Sequence, residues 1–197
     1  VDYFDIPQKG RFAEQRKVYV VAARQSDVQE YVKILSLAKL PLQAIEVPEL
    51  GINNIASRLP EDQDGVAVLY MPPDNQPAFI QISQNQEIYI SRRIPFREEG
   101  EAFSMVSPWE SLAEEVRRAL EYYQNAFQRP VPGALYYVSP VSMKQNLLPI
   151  LVSHLNVRVK PLLLETFLTV EATFDPDALA FYLPALGAAL RPMGEVK

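Results

Sequence analysis

Three segments with the pattern of β-strands follow one another between residues 66 and 94, and no helical pattern separates them. Val66–Tyr70 is nearly all apolar, whereas Ala78–Ile82 and Glu87–Ile94 alternate between apolar and polar residues. A continuous apolar run is typical of a strand buried on both faces, and alternation is typical of a half-buried strand. The polar turn 83–86 joins the last two segments. The sequence therefore predicts a meander of three strands.

The clearest helix signal in the chain follows this meander. Ser107 and Glu110 form a Ser-x-x-Glu capping box, and Pro108 occupies the first helical position, where no N–H donor is needed. Apolar side chains then recur every three or four residues, as they do on the buried face of a helix. These candidate core residues are Trp109, Leu112, Ala113, Val116, Leu120, Tyr123 and Phe127.

The remainder of the chain alternates between strand and helix patterns. The predicted elements are a strand at Leu135–Val138, a helix reaching Leu155 that Pro149 either kinks or begins, a strand at Val157–Leu162, and a helix opened by Asp175 and Pro176 that Pro184 should bend. From residue 66 onward the predicted order is therefore β-β-β-α-β-α-β-α. Three meandering strands followed by alternating helices and strands are the plan of a ribonuclease-H-like domain.

The first part of the chain has a shorter α/β pattern. The apolar, β-branched segment Lys17–Arg24 predicts a buried strand, and Ser26 is placed to cap the helix that ends before Pro41. A second strand at Ala44–Val47 and a helix at Glu49–Leu59 follow. This β-α-β-α order matches the trailing half of a second ribonuclease-H-like unit, and two such units in tandem form the actin-like fold.

A polar, turn-forming segment at residues 60–65 separates the two patterns and is the candidate domain boundary. We therefore expect residues 1–64 to be the trailing part of a truncated first actin-like lobe. Residues 65–197 are expected to form a complete second lobe of the ribonuclease-H-like type. The predicted fold class is α/β, actin-like.

Composition excludes several classes of function. The 197 residues include no cysteine and one histidine, which excludes disulfides and thiolate zinc sites and disfavours a histidine-based metal centre or triad. The formal net charge of −5 disfavours nucleic acid as a partner, because phosphate binding requires a basic surface. No apolar run approaches the roughly 20 residues of a membrane-spanning helix, and no signal-peptide pattern opens the sequence.

Several short motifs, in this order and spacing, resemble the PilM/GspL family of actin-like pilus and secretion proteins. The family typically shows an apolar strand ending in Ala-Ala-Arg, then a helix and a short strand, and later a Gly-x-Ala-x-Arg helix. The matching segments here are Val18–Arg24, Leu37–Leu40, Ala44–Val47, Ile90–Pro95, Leu112–Tyr123 and Leu186–Arg191. The resemblance extends over most of the chain.

This resemblance implies a cytoplasmic, actin-like scaffold at an inner-membrane platform for type IV pilus assembly or a related type II secretion system. It implies a PilN-type membrane protein as the partner and an assembly ATPase nearby. It also implies that the family's first strands, with the first phosphate loop, would precede Val1. A truncated first lobe would leave an unpaired sheet, which a second copy of the chain would cover or which would otherwise be prone to associate.

The resemblance also indicates where nucleotide-binding loops would lie. Actin-like enzymes hold phosphates with glycine-containing hairpins, because a Cβ would keep backbone N–H groups away from the phosphate. The second hairpin is expected at residues 70–77, which contain no glycine and three prolines, and prolines lack an N–H donor. Pro72, Pro73, Asp74 and Asn75 form this degenerate phosphate-loop position, and the expected adenosine loop, Val138–Val141, also lacks glycine. We therefore expect no ATPase activity and no cofactor.

Two rival functions remain open at this point. In the first, ATP binds chiefly through the missing part of the first lobe and its state gates partner binding; Asp74 would then hold magnesium, although a lone loop aspartate is more typical of a turn. In the second, the chain is a nuclease of the ribonuclease-H type. That chemistry needs several carboxylates on the sheet, and Val66–Tyr70 carries none.

Other candidate site residues have both a functional and a structural interpretation. Arg92, Arg93 and Arg97 form a small basic group for anionic lipid or an acidic partner, but alternation puts Arg92 and Arg93 on opposite faces, which favours separate surface roles. Trp109 is a candidate partner contact, with core packing as the default interpretation.

The remaining titratable candidates are weaker. His154 is expected at a helix end and lacks the Gly-x-Ser-x-Gly motif that a neighbouring serine nucleophile would need. Glu98, Glu99 and Glu101 could act as acid–base groups, although a solvated loop is the simpler interpretation.

Overall fold

A computed structural model describes residues 1–14, 16–73, 76–97, 106–169 and 175–191. In chain order its strands and helices are β1 (Asp2–Asp5), β2 (Val18–Val21), α1 (Gln25–Leu37), α2 (Pro48–Ala56), β3 (Val66–Tyr70), β4 (Ala78–Gln84), β5 (Glu87–Ile94), α3 (Pro108–Phe127), β6 (Ala134–Val138), α4 (Val141–His154), β7 (Val159–Pro161) and α5 (Pro176–Ala189). Short 3₁₀ turns lie at Gly10–Phe12 and Leu164–Thr166.

Five strands form one mixed sheet in the order β5-β4-β3-β6-β7. The antiparallel meander pairs Val66 with Ser83 and Ala78 with Ile94, and β3 and β6 run parallel with Val68 opposite Tyr136. The predicted α/β class and the β-β-β-α-β-α-β-α order from residue 66 are therefore confirmed. The sheet has one parallel and one antiparallel half, so the C-terminal ends of β3 and β6 share an edge.

Helices cover both faces of this sheet, and each face has its own core. Ala67 and Leu69 of β3 pack in the core under α3 and α4, whereas Val66, Val68 and Tyr70 pack in the core under α2 and α5. Every residue of β3, β4 and β6 is buried as a result. The alternation of apolar and polar residues in β4 predicted that one face of this strand is exposed to solvent. Its polar side chains are instead covered by α2 or by neighbouring side chains.

The predicted start signals of α3 and α5 are confirmed. Ser107 accepts a hydrogen bond from the Trp109 amide, and Glu110 accepts one from the Ser107 amide, which completes the capping box of α3. Asp175 accepts from the Asp177 amide at the start of α5. Two alternatives were predicted for Pro149, which either kinks α4 or begins it. Because α4 begins at Val141, Pro149 lies inside the helix, and the second alternative is wrong.

Helices α2 and α5 cross where each has a glycine. A Cβ built on Gly187 would lie 2.0 Å from the carbonyl oxygen of Gly51, and one built on Gly51 would lie 2.6 Å from that of Pro184. Side-chain hydrogen bonds also join the two segments. The Asn54 amide donates to the Gly187 carbonyl, and the Arg58 guanidinium donates to the Leu190 carbonyl. The two helices are therefore in backbone contact, which only glycine allows.

The N-terminal part departs from the sequence predictions. Residues 44–47 form no strand, because no strand of the described chain lies beside them; Glu46 is instead bonded to Arg191 and Asn54. The predicted buried strand is shortened to β2 and is half exposed, because among the described strands it pairs only with β1, which the sequence did not predict. Ser26 does not cap α1, because the helix begins at Gln25, one residue before Ser26. The Ser26 hydroxyl donates a hydrogen bond to Asp27.

The proposed division at residue 64 stays a prediction. Helix α2 precedes that position, and it packs against α5 and the large sheet.

None of the helices in the described ranges combines the length and hydrophobicity that crossing a membrane requires.

Candidate functional site

The expected phosphate loop connects β3 to β4 at the C-terminal end of β3. The Met71 amide donates to the Val138 carbonyl at 2.8 Å and anchors the loop to the end of β6. Pro72 and Pro73 follow and are partly exposed, whereas Asp74 and Asn75 lie outside the described residues. Because the prolines lack N–H groups, this part of the loop offers no donor to a phosphate.

A cavity of about 210 Å³ lies beside this loop, between α2, α5 and β4. Its lining is mainly apolar and includes the prolines 48, 72, 73, 77 and 184, together with Ile52, Phe79 and Phe181. The Tyr70 hydroxyl, also in the lining, donates to the Ala180 carbonyl at 2.9 Å, and burial raises the pKa of Tyr70 to about 12. Proline fixes its own backbone, so these walls are rigid, and the one basic side chain in the lining, Arg93, is already paired with Glu49.

The expected adenosine loop connects β6 to α4. Ser139 is 2% exposed, and its hydroxyl has no hydrogen-bond partner among the described residues. A neighbouring cavity of about 270 Å³ includes Ser139, Lys144 and Glu165, with leucines forming most of the wall. The first amide of α4, that of Val141, is already bonded to Asp177 at 2.6 Å, so the helix start is not open to an anion there.

The three candidate arginines do not converge. Arg92 is paired with Glu115 of α3 at 3.3 Å, whereas Arg93 is paired with Glu49 of α2 at 3.1 Å, on the other face of the sheet. This agrees with the alternation expected for neighbouring residues of a strand. Arg97 is exposed beyond the end of β5.

The other candidates have structural surroundings. Trp109 is 8% exposed and packs against Phe96, with ring centroids 4.7 Å apart, as expected for core packing. His154 ends α4, and its Nδ1 lies 3.0 Å from both the Ser153 hydroxyl and the Ile150 carbonyl. Glu98, Glu99 and Glu101 lie outside the described residues. Within the described ranges, no group of three or more acidic or histidine side chains is arranged to hold a metal ion.

One buried polar cluster was not predicted from the sequence. Glu61 accepts hydrogen bonds from the Tyr136 hydroxyl and the Lys160 ammonium, both at 2.7 Å. Burial would raise the pKa of Glu61, but the bonds from Lys160 and Tyr136 outweigh burial and lower it. Residues 61, 136 and 160 are far apart in sequence, and no local motif marks them.

A second unpredicted feature is the exposed apolar face of α1, for which no residue of the helix is buried. Tyr31, Ile34 and Leu37 are 61%, 53% and 75% exposed, and Leu40 and Ile45 continue the apolar surface. Helical spacing predicts an apolar face made of Val28, Tyr31, Val32, Leu35 and Ala38; Val28 and Leu35 are half-buried and the other three are exposed, whereas Ile34 and Leu37 lie outside the predicted set.

Comparisons with known proteins include an informative likeness among solved structures. No protein-family model matches the sequence, and no curated protein matches it. A chain of the solved PilM-PilN type IV pilus biogenesis complex has the same fold, with a TM-score of 0.62 and 21% identity over 91% of this chain and 62% of that chain. This chain thus spans about 62% of that chain's length. At this identity the likeness establishes the fold.

A second solved structure overlaps less. It is a Bacteroides thetaiotaomicron protein with an actin-like ATPase fold and unknown function, aligned over 58% of this chain and 38% of that chain with 14% identity and a TM-score of 0.37. A score this low supports no argument about function.

Proposed function

We propose that this protein is a non-catalytic, actin-like scaffold of a type IV pilus assembly platform that binds a PilN-type membrane partner. The observation that carries the proposal is the shared fold with the PilM-PilN complex over 91% of the chain. The sequence motifs described above support the same family independently of the fold. Its place would be the cytoplasmic face of the inner membrane, near the assembly ATPase.

The exposed face of α1 supports a binding role. The family resemblance implies a partner groove largely in the first lobe, which includes α1. Exposed apolar side chains such as Tyr31, Ile34 and Leu37 are unusual on a monomer surface when they are contiguous, and they are typical of interaction sites. We therefore assign part of the partner contact to this face.

The experiment is a binding titration between the full-length protein and the cytoplasmic segment of the PilN-type protein from the same organism. The double substitution Tyr31→Ser and Leu37→Ser should weaken binding at least tenfold, because it removes two apolar anchors. Tyr182→Ser is the matched control, since Tyr182 is 55% exposed on α5 and lies outside the first lobe. Unchanged binding by the double variant, or no binding by the wild type, would overturn this assignment.

The absence of nucleotide chemistry is a further part of the proposal. Both expected nucleotide loops lack glycine, and the β3–β4 loop has prolines where donors would be needed. Titration calorimetry with Mg·ATP and the full-length protein is the test. Binding tighter than about 100 μM, roughly −5.5 kcal/mol, would instead favour the alternative in which ATP gates partner binding.

Within the family, we propose the MSHA pilus system as the specific setting. The motifs of this sequence resemble MshI, its biogenesis protein, more than other members. Loss of the MSHA pilus, but not of other pili, on deletion of the gene would support this setting. Complementation of a deletion strain by the Tyr31→Ser and Leu37→Ser variant should then fail, whereas the Tyr182→Ser variant should restore the pilus.

A further inference from the structure

The ribbon formed by β1 and β2 is largely exposed. Tyr3 is 57% and Val20 64% exposed, and neither strand pairs with a strand of the large sheet among the described residues. A two-stranded ribbon is at best marginally stable by itself in water. The position of this ribbon therefore depends on the contacts that the N-terminal segment makes with the large sheet and its helices, and these contacts lie at two places.

The first place is the C-terminal end of α3. Gly10 has a φ of +60°, and a Cβ built on it would lie 2.4 Å from the Ala126 carbonyl oxygen, so the two backbones are in direct contact. Phe12 packs edge to face on Phe127, with ring centroids 5.3 Å apart. Ile6 and Phe12 are partly buried against the core under α3. This anchor is apolar, and it requires glycine at position 10.

The second place is Tyr89 on β5. The Tyr19 hydroxyl donates to the Tyr89 carbonyl at 3.3 Å and accepts from the Ser91 amide at 3.0 Å. The Lys9 ammonium donates to the Tyr89 hydroxyl at 3.0 Å. Burial raises the pKa of Tyr19 to about 12, so its hydroxyl remains protonated and able to donate well above neutral pH. Tyr89 thus holds both the turn region before the ribbon's second strand and that strand itself.

These hydrogen bonds also cover the outer edge of the large sheet. β5 is the last strand of that sheet, so the outward backbone groups of Tyr89 and Ser91 have no strand partner among the described residues. The Tyr19 hydroxyl provides what a neighbouring strand would provide, one acceptor and one donor. Unpaired backbone groups on an edge strand invite pairing with another chain, and native proteins cover them.

The chain that follows β2 leaves this segment free to move as a whole. Residues 22–27 are exposed, and α1 buries no residue. Regions with few buried contacts open at a lower free energy than the core, and they do so as contiguous cooperative units. Since the ribbon is marginal without its anchors, loss of one anchor is expected to weaken the other.

We propose that residues 2–12 and 17–21 form a strap that opens from the large sheet as one unit, with Tyr89 as its latch. In the closed position the strap covers the outer edge of β5 through Tyr19. In the open position it leaves that edge exposed while the large sheet and its helices stay folded. This proposal does not depend on the function proposed above.

Native-state hydrogen exchange of the full chain, followed by NMR, tests the proposal at three amides. The Ile6 amide is bonded to the Lys17 carbonyl within the strap, the Ser91 amide lies under the strap, and the Leu135 amide is bonded to the Arg158 carbonyl in the large sheet. Ile6 and Ser91 should share one opening constant, about tenfold or more above that of Leu135. A single constant for all three amides would overturn the proposal, because the strap would then open only with the whole protein.

Each anchor is altered by substitution and read at the other anchor. Gly10→Ala places a methyl group against the α3 backbone and should raise the opening constant of Ser91 about tenfold or more, although the hydrogen bond of Ser91 is itself unchanged. Tyr19→Phe removes the hydroxyl and should raise the opening constant of Ile6 about tenfold. Changes confined to the altered anchor would reveal two independent contacts and no strap.

Both variants have matched controls. Gly133→Ala adds a methyl group whose nearest neighbours lie 3.6 Å away, and Tyr31→Phe removes a hydroxyl from a side chain that is 61% exposed. Neither control should change the exchange of Ile6 or Ser91. An equal acceleration by a control would contradict the assignment of Gly10 and Tyr19 as anchors.

The converse experiment weakens the core and leaves the strap intact. Val68→Ala in β3 should raise the opening constant of Leu135 about tenfold or more, because Val68 is 1% exposed. Ile6 and Ser91 should exchange as in the wild type, since the core stays packed when the strap opens. A matching rise at Ile6 would mean that global unfolding alone exposes this amide, and the strap would be excluded.

Discussion

The large sheet and the ribbon formed by β1 and β2 are built from similar residues but are buried to very different degrees. Val66–Tyr70 and Val18–Val21 are both short, apolar and rich in valine. Each residue of β3 is buried, whereas Val20 of β2 is 64% exposed. The difference arises because β3 has a strand on each side and helices over both faces, while β1 is the one described strand that pairs with β2.

The two helical regions repeat this contrast. α3 buries one complete face, from Trp109 to Phe127, whereas the apolar face of α1 buries no residue. A hydrophobic pattern therefore identifies an element that can pack, and not an element that does pack. An apolar face left exposed by the fold is available for a partner, which is why the proposed partner contact lies in the N-terminal region.

The largest effect is expected at the glycine crossing over the large sheet. Gly187→Ala should lower the free energy of unfolding by about 3 kcal/mol, because the new methyl group meets the Gly51 backbone, which cannot rotate away. Urea denaturation measures this change. Ala189→Ser on the exposed side of the same helix is the control and should stay within about 0.5 kcal/mol. An unchanged midpoint for Gly187→Ala would mean that α2 and α5 are not in contact.

A matched pair of valines tests the difference between the two sheets directly. Val68→Ala in β3 should destabilise by about 2 kcal/mol, because Val68 is 1% exposed and its methyl groups leave a cavity. Val20→Ala in β2 should change stability by less than about 0.5 kcal/mol. Equal effects in thermal or urea unfolding would show that β2 is covered in the protein in solution.

A smaller, pH-dependent effect is expected at the Glu61 cluster. The folded state lowers the pKa of Glu61 below its ordinary value of 4.5, so its stabilisation is present above that pH and is lost as the pH falls through the folded-state pKa. Glu61→Gln should cost about 1 kcal/mol at pH 7 and less at pH 3. Urea unfolding at both pH values, with Glu14→Gln as an exposed control, measures the difference. An equal loss at both pH values would contradict an ionised Glu61.

The smallest effect on stability is expected on the exposed face of α1. Tyr31→Ser should shift the free energy of unfolding by no more than about 0.5 kcal/mol, because the side chain is 61% exposed. A clear loss of stability would show that another part of the protein covers this face. Because Tyr31→Ser is expected to leave the protein folded, weaker binding by this variant in the partner titration would report the loss of a contact and not unfolding.

Much of the fold could be predicted because the signals are local. The capping box at Ser107, the cap at Asp175 and the meander of β3, β4 and β5 follow from residues a few positions apart. The strand predicted at Ala44–Val47 is wrong, although its pattern is equally favourable, since a strand also needs a neighbour and none of the described strands lies beside it. The candidate site was predicted only in part. The absence of glycine from the two expected nucleotide loops is visible in the sequence, whereas the cavities beside these loops are visible only in the structure.

The sequence by itself determined the order of the elements from residue 66 onward, the caps of α3 and α5 and the lack of glycine in the expected nucleotide loops. Only the tertiary structure decided that Glu61 meets Lys160, 99 residues away, and that Tyr19 meets Ser91, 72 residues away. It also decided that Val68 is buried and Val20 is not. Local propensity depends on neighbours along the chain, whereas burial and long-range hydrogen bonds depend on which distant segments the topology brings together.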